Sequence, residues 1–149
     1  MKLRIVIDTR EQLPYLEFFD KLQIGYNLKS LETGDYSIFG FENEFAIERK
    51  TLNDFIGSIT TGRKRFAKEM ERGMRLKYFA VVIECDYADI KNRNYYTKTI
   101  SPNVITSTIF SWSTKYNIPF FLVGSREGGA LATIKLSEFF IKNVINKVS

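Results

Sequence analysis

Leu3 to Asp8 is a short apolar run that closes on an acid, and it reads as a strand. From Leu13 to Leu22 the positions Leu13, Leu16, Phe19 and Leu22 recur at helical spacing, with Pro14 tolerated in the first turn. Tyr26 to Leu31 alternates loosely, as a strand does. Gly34-Asp35 marks a turn. Tyr36 to Phe39 and Glu44 to Glu48 then form a hairpin around the loop Gly40-Phe41-Glu42-Asn43. Thr51 is placed to cap a helix ending near Ile59, with Asp54 three residues on. A basic helix from Arg63 to Arg72 or beyond follows. Tyr78 to Glu84 is a strand apolar on both faces, and Asp86 to Thr99 is polar and reads as a loop. Ser101-Pro102 opens a helix whose apolar face is Ile105, Ile109, Trp112 and Tyr116. Pro119 to Val123 is a further strand, and Leu131 to about Lys147 is the last helix. Strands alternate with helices except at the hairpin. That pattern predicts an α/β fold, with a central mixed β-sheet flanked by helices.

Length fits this reading. The chain has 149 residues and 44% hydrophobic content, enough for one domain with its own core, and no linker or repeat divides it. No apolar run approaches the ~20 residues that span a bilayer. The N-terminal residues enter a strand directly, with no signal peptide, and Cys85 is the sole cysteine. A soluble, intracellular protein without membrane contact is expected.

Charge adds a partner. The net charge is +5, and basic residues between Arg63 and Lys77 far outnumber Glu69 and Glu71. A basic stripe of this kind suits a nucleic-acid backbone. Histidine is absent, which excludes Ser-His-Asp and Cys-His catalysis and any His-ligated zinc. A metal here would be held by carboxylates and carbonyls, which favours Mg²⁺ or Mn²⁺.

The candidate chemistry lies in the hairpin. Side chains two apart on a strand share a face, so Glu48 and Lys50 can serve one reaction centre. Asp35 approaches from the neighbouring strand. Two carboxylates, a phosphate oxygen and waters make a site that Mg²⁺ accepts, and a lysine can meet the phosphate or the attacking water. On a random hairpin this pattern is solvated surface charge. Three further features argue otherwise: Asp8 with Arg10-Glu11 at the end of the first strand, Asp54 one turn after the triplet, and Arg63, Lys64, Arg65 and Lys68 on the basic helix.

These residues together resemble the nuclease domain of the XPF-type (XPF/Hef-like) structure-specific endonucleases. The family signature is Gly-Asp, a spacer, Glu-Arg-Lys, three residues and Asp. Here it stands as Gly34-Asp35, Glu48-Arg49-Lys50 and Asp54. Ile7-Asp8-Thr9-Arg10-Glu11, Phe55-Ile56-Gly57-Ser58-Ile59, Gly62-Arg63 and Val82-Ile83-Glu84 extend the match over nearly the whole chain. The resemblance implies a restriction-endonuclease-like fold and a Mg²⁺- or Mn²⁺-dependent DNA endonuclease, a hydrolase. It implies cutting of branched DNA (flap, fork or junction) in repair or recombination. It also implies roles: Asp35 and Glu48 as metal ligands with Asp8 assisting, Arg49 and Lys50 as catalytic or phosphate-binding, and Arg10, Glu11 and Asp54 as supporting. Arg63 would support the site or contact DNA.

This chain departs from the family pattern in three places. The spacer before Glu48 has twelve residues, at the long end for the family. After Gly62-Arg63 the family shows Leu or an aromatic and later Gln, where this chain has Lys64-Arg65-Phe66 and Lys68. The helix-hairpin-helix module that often follows the nuclease domain is not expected within these 149 residues. The alternative function is a non-catalytic DNA-binding or dimerisation module of the same fold.

Other residues have two readings each. Arg49 faces away from Glu48 and Lys50 on the strand, so it is either surface or functional. Asp54 is a cap or a site residue. Cys85 and Trp112 read as core. Tyr87, Tyr95 and Tyr96, among Lys91, Arg93 and Lys98, either stack on bases or brace a loop. In the last helix Leu136, Phe139, Phe140, Ile141, Val144, Ile145 and Val148 form an apolar set wider than one stripe, so a homodimer through this helix is expected.

Overall fold

The strand Tyr78–Glu84 shows how the chain is layered. Phe79, Val81 and Ile83 point into one core and Ala80 and Val82 into another, on opposite faces of the sheet. A strand buried on both faces needs helices on both sides. The computed structural model describes residues 2–148, with side chains to 146, so the Val148 side chain lies outside the described residues.

The elements in order are β1 (Arg4–Asp8), α1 (Leu16–Lys21), β2 (Gly25–Lys29), β3 (Tyr36–Ile38), β4 (Phe45–Thr51), α2 (Leu52–Ile59), α3 (Arg63–Gly73), β5 (Tyr78–Glu84), α4 (Tyr87–Lys91), α5 (Pro102–Tyr116), β6 (Phe120–Leu122) and α6 (Arg126–Val148). The sheet order is β2-β1-β3-β4-β5-β6. β3 is antiparallel to both β1 and β4, and the remaining pairs are parallel. Five strands therefore run one way, and β3 alone runs back. The carboxyl ends of β1, β4 and β5 and the start of β3 thus meet at one edge of the sheet. In open α/β sheets this is the edge where ligands bind.

One core joins α2, α3 and α5 to the sheet through residues such as Phe55, Phe66, Met70, Ile105 and Trp112. The other joins α1 and α6 through Tyr15, Phe19, Tyr36, Phe45 and Ile134. Among the described residues no helix is long and apolar enough to cross a membrane.

Several elements depart from the sequence reading. The first helix begins at Leu16, because Leu13 adopts a left-handed φ of 51° and its carbonyl accepts bonds from Arg49 and Arg126. β2 ends at Lys29, since the N–H of Leu31 turns inward to the Asp8 carboxylate. The segment from Asp86 is not all loop: Asp86 and Asp89 form a reciprocal capping box that starts α4. α6 begins at Arg126, running through Gly128 and Gly129. Helix-interior glycine is unfavourable, but side chains at these positions would collide with the Val123 carbonyl and the Tyr15 hydroxyl. β4 also continues to Thr51, so Glu48-Arg49-Lys50 lies wholly within a strand.

Candidate active site

Alternation along β4 sorts the signature triplet. Ala46 packs toward α2 and α3, and Glu48 and Lys50 share its face. Phe45 and Ile47 pack toward α1 and α6, and Arg49 follows them. Tyr36 takes the second face too, leaving Asp35 on the side of Glu48. The turn that delivers Asp35 needs glycine: Gly34 has φ 85°, and a Cβ there would lie 2.9 Å from the Ala46 Cβ.

Asp35 is held by backbone on three sides. Its N–H donates to the Ile47 carbonyl (2.8 Å), its carbonyl accepts from the Asp8 N–H (2.8 Å), and its carboxylate accepts from the Arg49 N–H (2.8 Å). Glu48 is buried, with Lys50 Nζ 3.3 Å from its carboxylate. Lys50 in turn rests over the Phe66 ring of α3, 5.1 Å from its centroid.

The electrostatics here are unfavourable for anions. Burial, and then the charge of Glu11, push the Asp35 carboxyl up to about 7, against the Arg49 N–H bond that lowers it. Burial also raises Glu48 well above the carboxylate range, followed by the charge of Asp35 and by Glu69, which both hydrogen-bonds and repels it. Burial works against the charge of Lys50, but Glu48, Glu69 and Asp35 outweigh it and raise its pKa. Two adjacent acids that resist ionisation lack positive charge, and Lys50 supplies only part of it.

The opposite face carries a second network. Arg49 Nε donates to Glu84 (2.7 Å), and Nη1 reaches Glu11 (3.4 Å) and the carbonyls of Gln12 (3.1 Å) and Leu13 (2.8 Å). Its guanidinium lies 4.6 Å from the centroid of Tyr15, whose hydroxyl donates to Glu84 (2.5 Å). Burial opposes its charge, but Glu84, Tyr15 and Glu11 hold it firmly ionised. Tyr36 donates to Glu11 and accepts from the Tyr15 N–H (3.1 Å).

Asp35, Glu48, Arg49, Lys50, Asp54, Arg10, Glu11 and Arg65 line one open cleft of about 580 Å³. The other candidate site residues, Asp8, Arg63, Lys64 and Lys68, lie outside its wall. Asp8 is buried, its carboxylate accepting from Arg10 Nε (3.0 Å) and the Leu31 N–H (2.8 Å). Burial raises its pKa, but these bonds and the Arg10 charge bring it below the usual value. Arg63 turns inward to the Ile59 carbonyl (3.0 Å) and Thr108 Oγ1 (3.3 Å), over Trp112. Lys64 and Lys68 are exposed on α3. Asp54 donates its N–H to Thr51 Oγ1 (3.2 Å), while its side chain is exposed at the cleft.

Sequence reasoning missed Glu69, which α3 brings against Glu48. Its position one residue before buried Met70 and three after buried Phe66 was the available signal. It also missed Tyr15, and it quoted Glu84 only within the motif Val82-Ile83-Glu84, without a role.

Among the described residues no group of three or more His, Cys, Asp or Glu is arranged to hold a metal ion. Asp35 and Glu48 are hard oxygen donors side by side and short of positive charge. Such a set fits a cation that takes one or two carboxylates and fills its shell with water and substrate oxygens, as Mg²⁺ does.

A mixed sheet covered by helices on both faces, with paired acids at its carboxyl edge, defines the α/β class of this domain. The model of the ERCC4 domain matches residues 7–131, and the chain belongs to that family. XPF from Aeropyrum pernix has the same fold: TM-score 0.73 at 21% identity, over 91% of this chain and 60% of that one. The structure of XPF from Aeropyrum pernix in complex with DNA gives TM-score 0.76 at 22% identity, over 95% of this chain and 66% of that one. The chain therefore spans less than two thirds of either structure. No curated protein matches it. The XPF-type α/β fold expected from the sequence is the fold observed.

Proposed function

We propose that this domain is a Mg²⁺- or Mn²⁺-dependent endonuclease that hydrolyses phosphodiester bonds in branched DNA, in repair or recombination. The observation that carries this reading is the pairing of Asp35 with buried Glu48 at the floor of the cleft, Lys50 beside them. Family membership supports it, and XPF from Aeropyrum pernix has been captured with DNA.

Asp35 and Glu48 would hold the cation. When bound, it supplies charge against the phosphate and acidifies a water. Lys50 keeps its proton, pairs with Glu48 and donates toward a phosphate oxygen or the attacking water. Arg49 acts from the far side of β4: by tying Glu84 and Glu11 together it fixes the strand that carries Glu48 and Lys50. It is a positioning residue. Asp8 orients Arg10 at the rim. Arg65, Lys64 and Lys68 contact the phosphate backbone, and Arg63 anchors the helix that bears them.

Incubation with flap, fork and linear duplex DNA tests the reading, with Mg²⁺, Mn²⁺ or EDTA. Cleavage should need the cation and fall at least ~100-fold in Asp35→Asn and Glu48→Gln, the scale set by losing one electrostatic stabiliser. Cutting that survives EDTA or either variant sinks the mechanism. A folded protein that binds DNA and cuts nothing favours the non-catalytic module.

We further propose a homodimer through α6. Phe140 and Ile141 face inward, whereas Leu131, Phe139 and Ile145 are exposed beside an apolar groove that reaches Leu22 and Ile24. Light scattering at micromolar concentration should give twice the chain mass, and a monomer there removes the claim.

A further inference from the structure

The tyrosines between α4 and α5 do not share one role. Tyr95 is 2% exposed and donates its hydroxyl to the Ile100 carbonyl (2.9 Å), so it anchors the loop to the core. Tyr87 lies in the first turn of α4. Tyr96 is different: it is 87% exposed, and its backbone N–H donates to Asn53 Oδ1 (2.9 Å). Asn53 sits in the first turn of α2 and lines the cleft with Asp35, Glu48 and Lys50. Tyr96 is thus fastened to the cleft wall with its ring in water.

The loop that holds it is braced. Arg93 Nη1 donates to the carbonyls of Lys98 (3.3 Å) and Ile100 (3.4 Å), and Lys98 Nζ returns a bond to the Arg93 carbonyl (2.5 Å). Asn94 is tied to Asp89 of α4 (3.1 Å). Lys91, Arg93 and Lys98 are exposed on the same segment, Lys98 Nζ lying 5.6 Å from the centroid of Tyr95, so the rim carries the charge a phosphate backbone would follow. An aromatic face held firmly beside basic groups is how proteins receive single-stranded nucleic acid, because every unpaired base offers a flat face. A paired base keeps its faces stacked inside the duplex.

We propose that Tyr96 is a stacking platform for an unpaired nucleobase of the DNA strand that leaves the cleft. This rests on the reading of the cleft as a DNA-cutting site, and it makes Tyr96 a specificity-determining residue. It would favour substrates in which duplex passes into single strand.

The test compares the unaltered protein with Tyr96→Ala and Tyr96→Trp, on blunt duplex and on a fork with 2-aminopurine in its single-stranded arm next to the junction. Binding is read by anisotropy and stacking by 2-aminopurine quenching, with EDTA and with Ca²⁺. Tyr96→Ala should lose at least about fivefold affinity for the fork, and lose the quenching, while duplex affinity stays the same. Tyr96→Trp should keep both. The ring is exposed, so the thermal midpoint of Tyr96→Ala should not move. The proposal is overturned if Tyr96→Ala binds and quenches as the unaltered protein does, or weakens equally on duplex. If the unaltered protein binds and cuts DNA in those cases, the cleft reading stands and only the platform falls. If it binds neither DNA, both fall together.

Discussion

Asp35 carries a charge conflict that pH should expose. Burial pushes its folded-state pKa up to about 7 from the ordinary 3.8. Between those values the folded protein holds a proton that the unfolded chain has released. The native state binds more protons there, so stability falls as pH rises from about 4 to about 7. Glu48, also raised, adds to the same trend. In EDTA the melting temperature should drop across this window, and Asp35→Asn should flatten the slope. A divalent cation should raise the melting temperature at pH 8 more than at pH 5, because it competes with the proton for the same oxygens. Equal slopes in the unaltered protein and the variant would remove this account.

Arg49 makes the contrasting case. It is 8% exposed at its side chain and bridges two carboxylates. Removing it leaves Glu84 and Glu11 uncompensated, so Arg49→Ala should cost about 3–5 kcal/mol in urea unfolding. Arg49→Lys keeps the charge but not the planar fork, and should recover only part of that. The sequence reading placed Arg49 on the far face of its strand, since period two is a property of one segment. It could not see what waited there. Glu84 lies on β5, Glu11 follows β1 and Tyr15 precedes α1, and only the folded sheet edge brings them together.

At the level of elements, the strands that build the site were legible, and their ends were not. The hairpin was read correctly because Gly34-Asp35 and the apolar run Phe45 to Ile47 are local signals. The start of α6 was misread because glycine propensity is also local, while the reason for Gly128 and Gly129 is close contact with Val123, just after β6, and with Tyr15. α4 was missed although Asp86 and Asp89 form a capping box, since the apolar content of that short stretch is small. Gly34 shows the opposite balance. Its φ of 85° and its closeness to Ala46 are both required by the turn before Asp35. Gly34→Ala should destabilise by at least about 1–2 kcal/mol from backbone strain alone. It should also weaken cleavage more than an equally destabilising change in the α5 core. Urea unfolding together with cleavage rates at matched folded fraction separates the two effects.

For the whole molecule, charge and sheet order decide the behaviour. The net charge is +5, with Lys64 and Lys68 exposed on α3 beside the cleft. DNA affinity should fall steeply with salt. Lys64→Ala with Lys68→Ala should reduce the log–log slope by about 1–2 and weaken all sequences alike. An unchanged slope would mean that α3 does not touch the phosphates.

The sheet order also puts β3 third of six, between β1 and β4, so the amides around Asp35 are bonded on both sides while β2 and β6 form the rims. Strands at the rims can open singly, but β3 cannot open without separating the halves of the sheet. Hydrogen exchange at Asp35 and Arg49 should therefore belong to the slowest class, which exchanges only when the molecule unfolds globally. The cleft is in consequence all-or-none: heating should not yield a folded population whose acids have drifted apart.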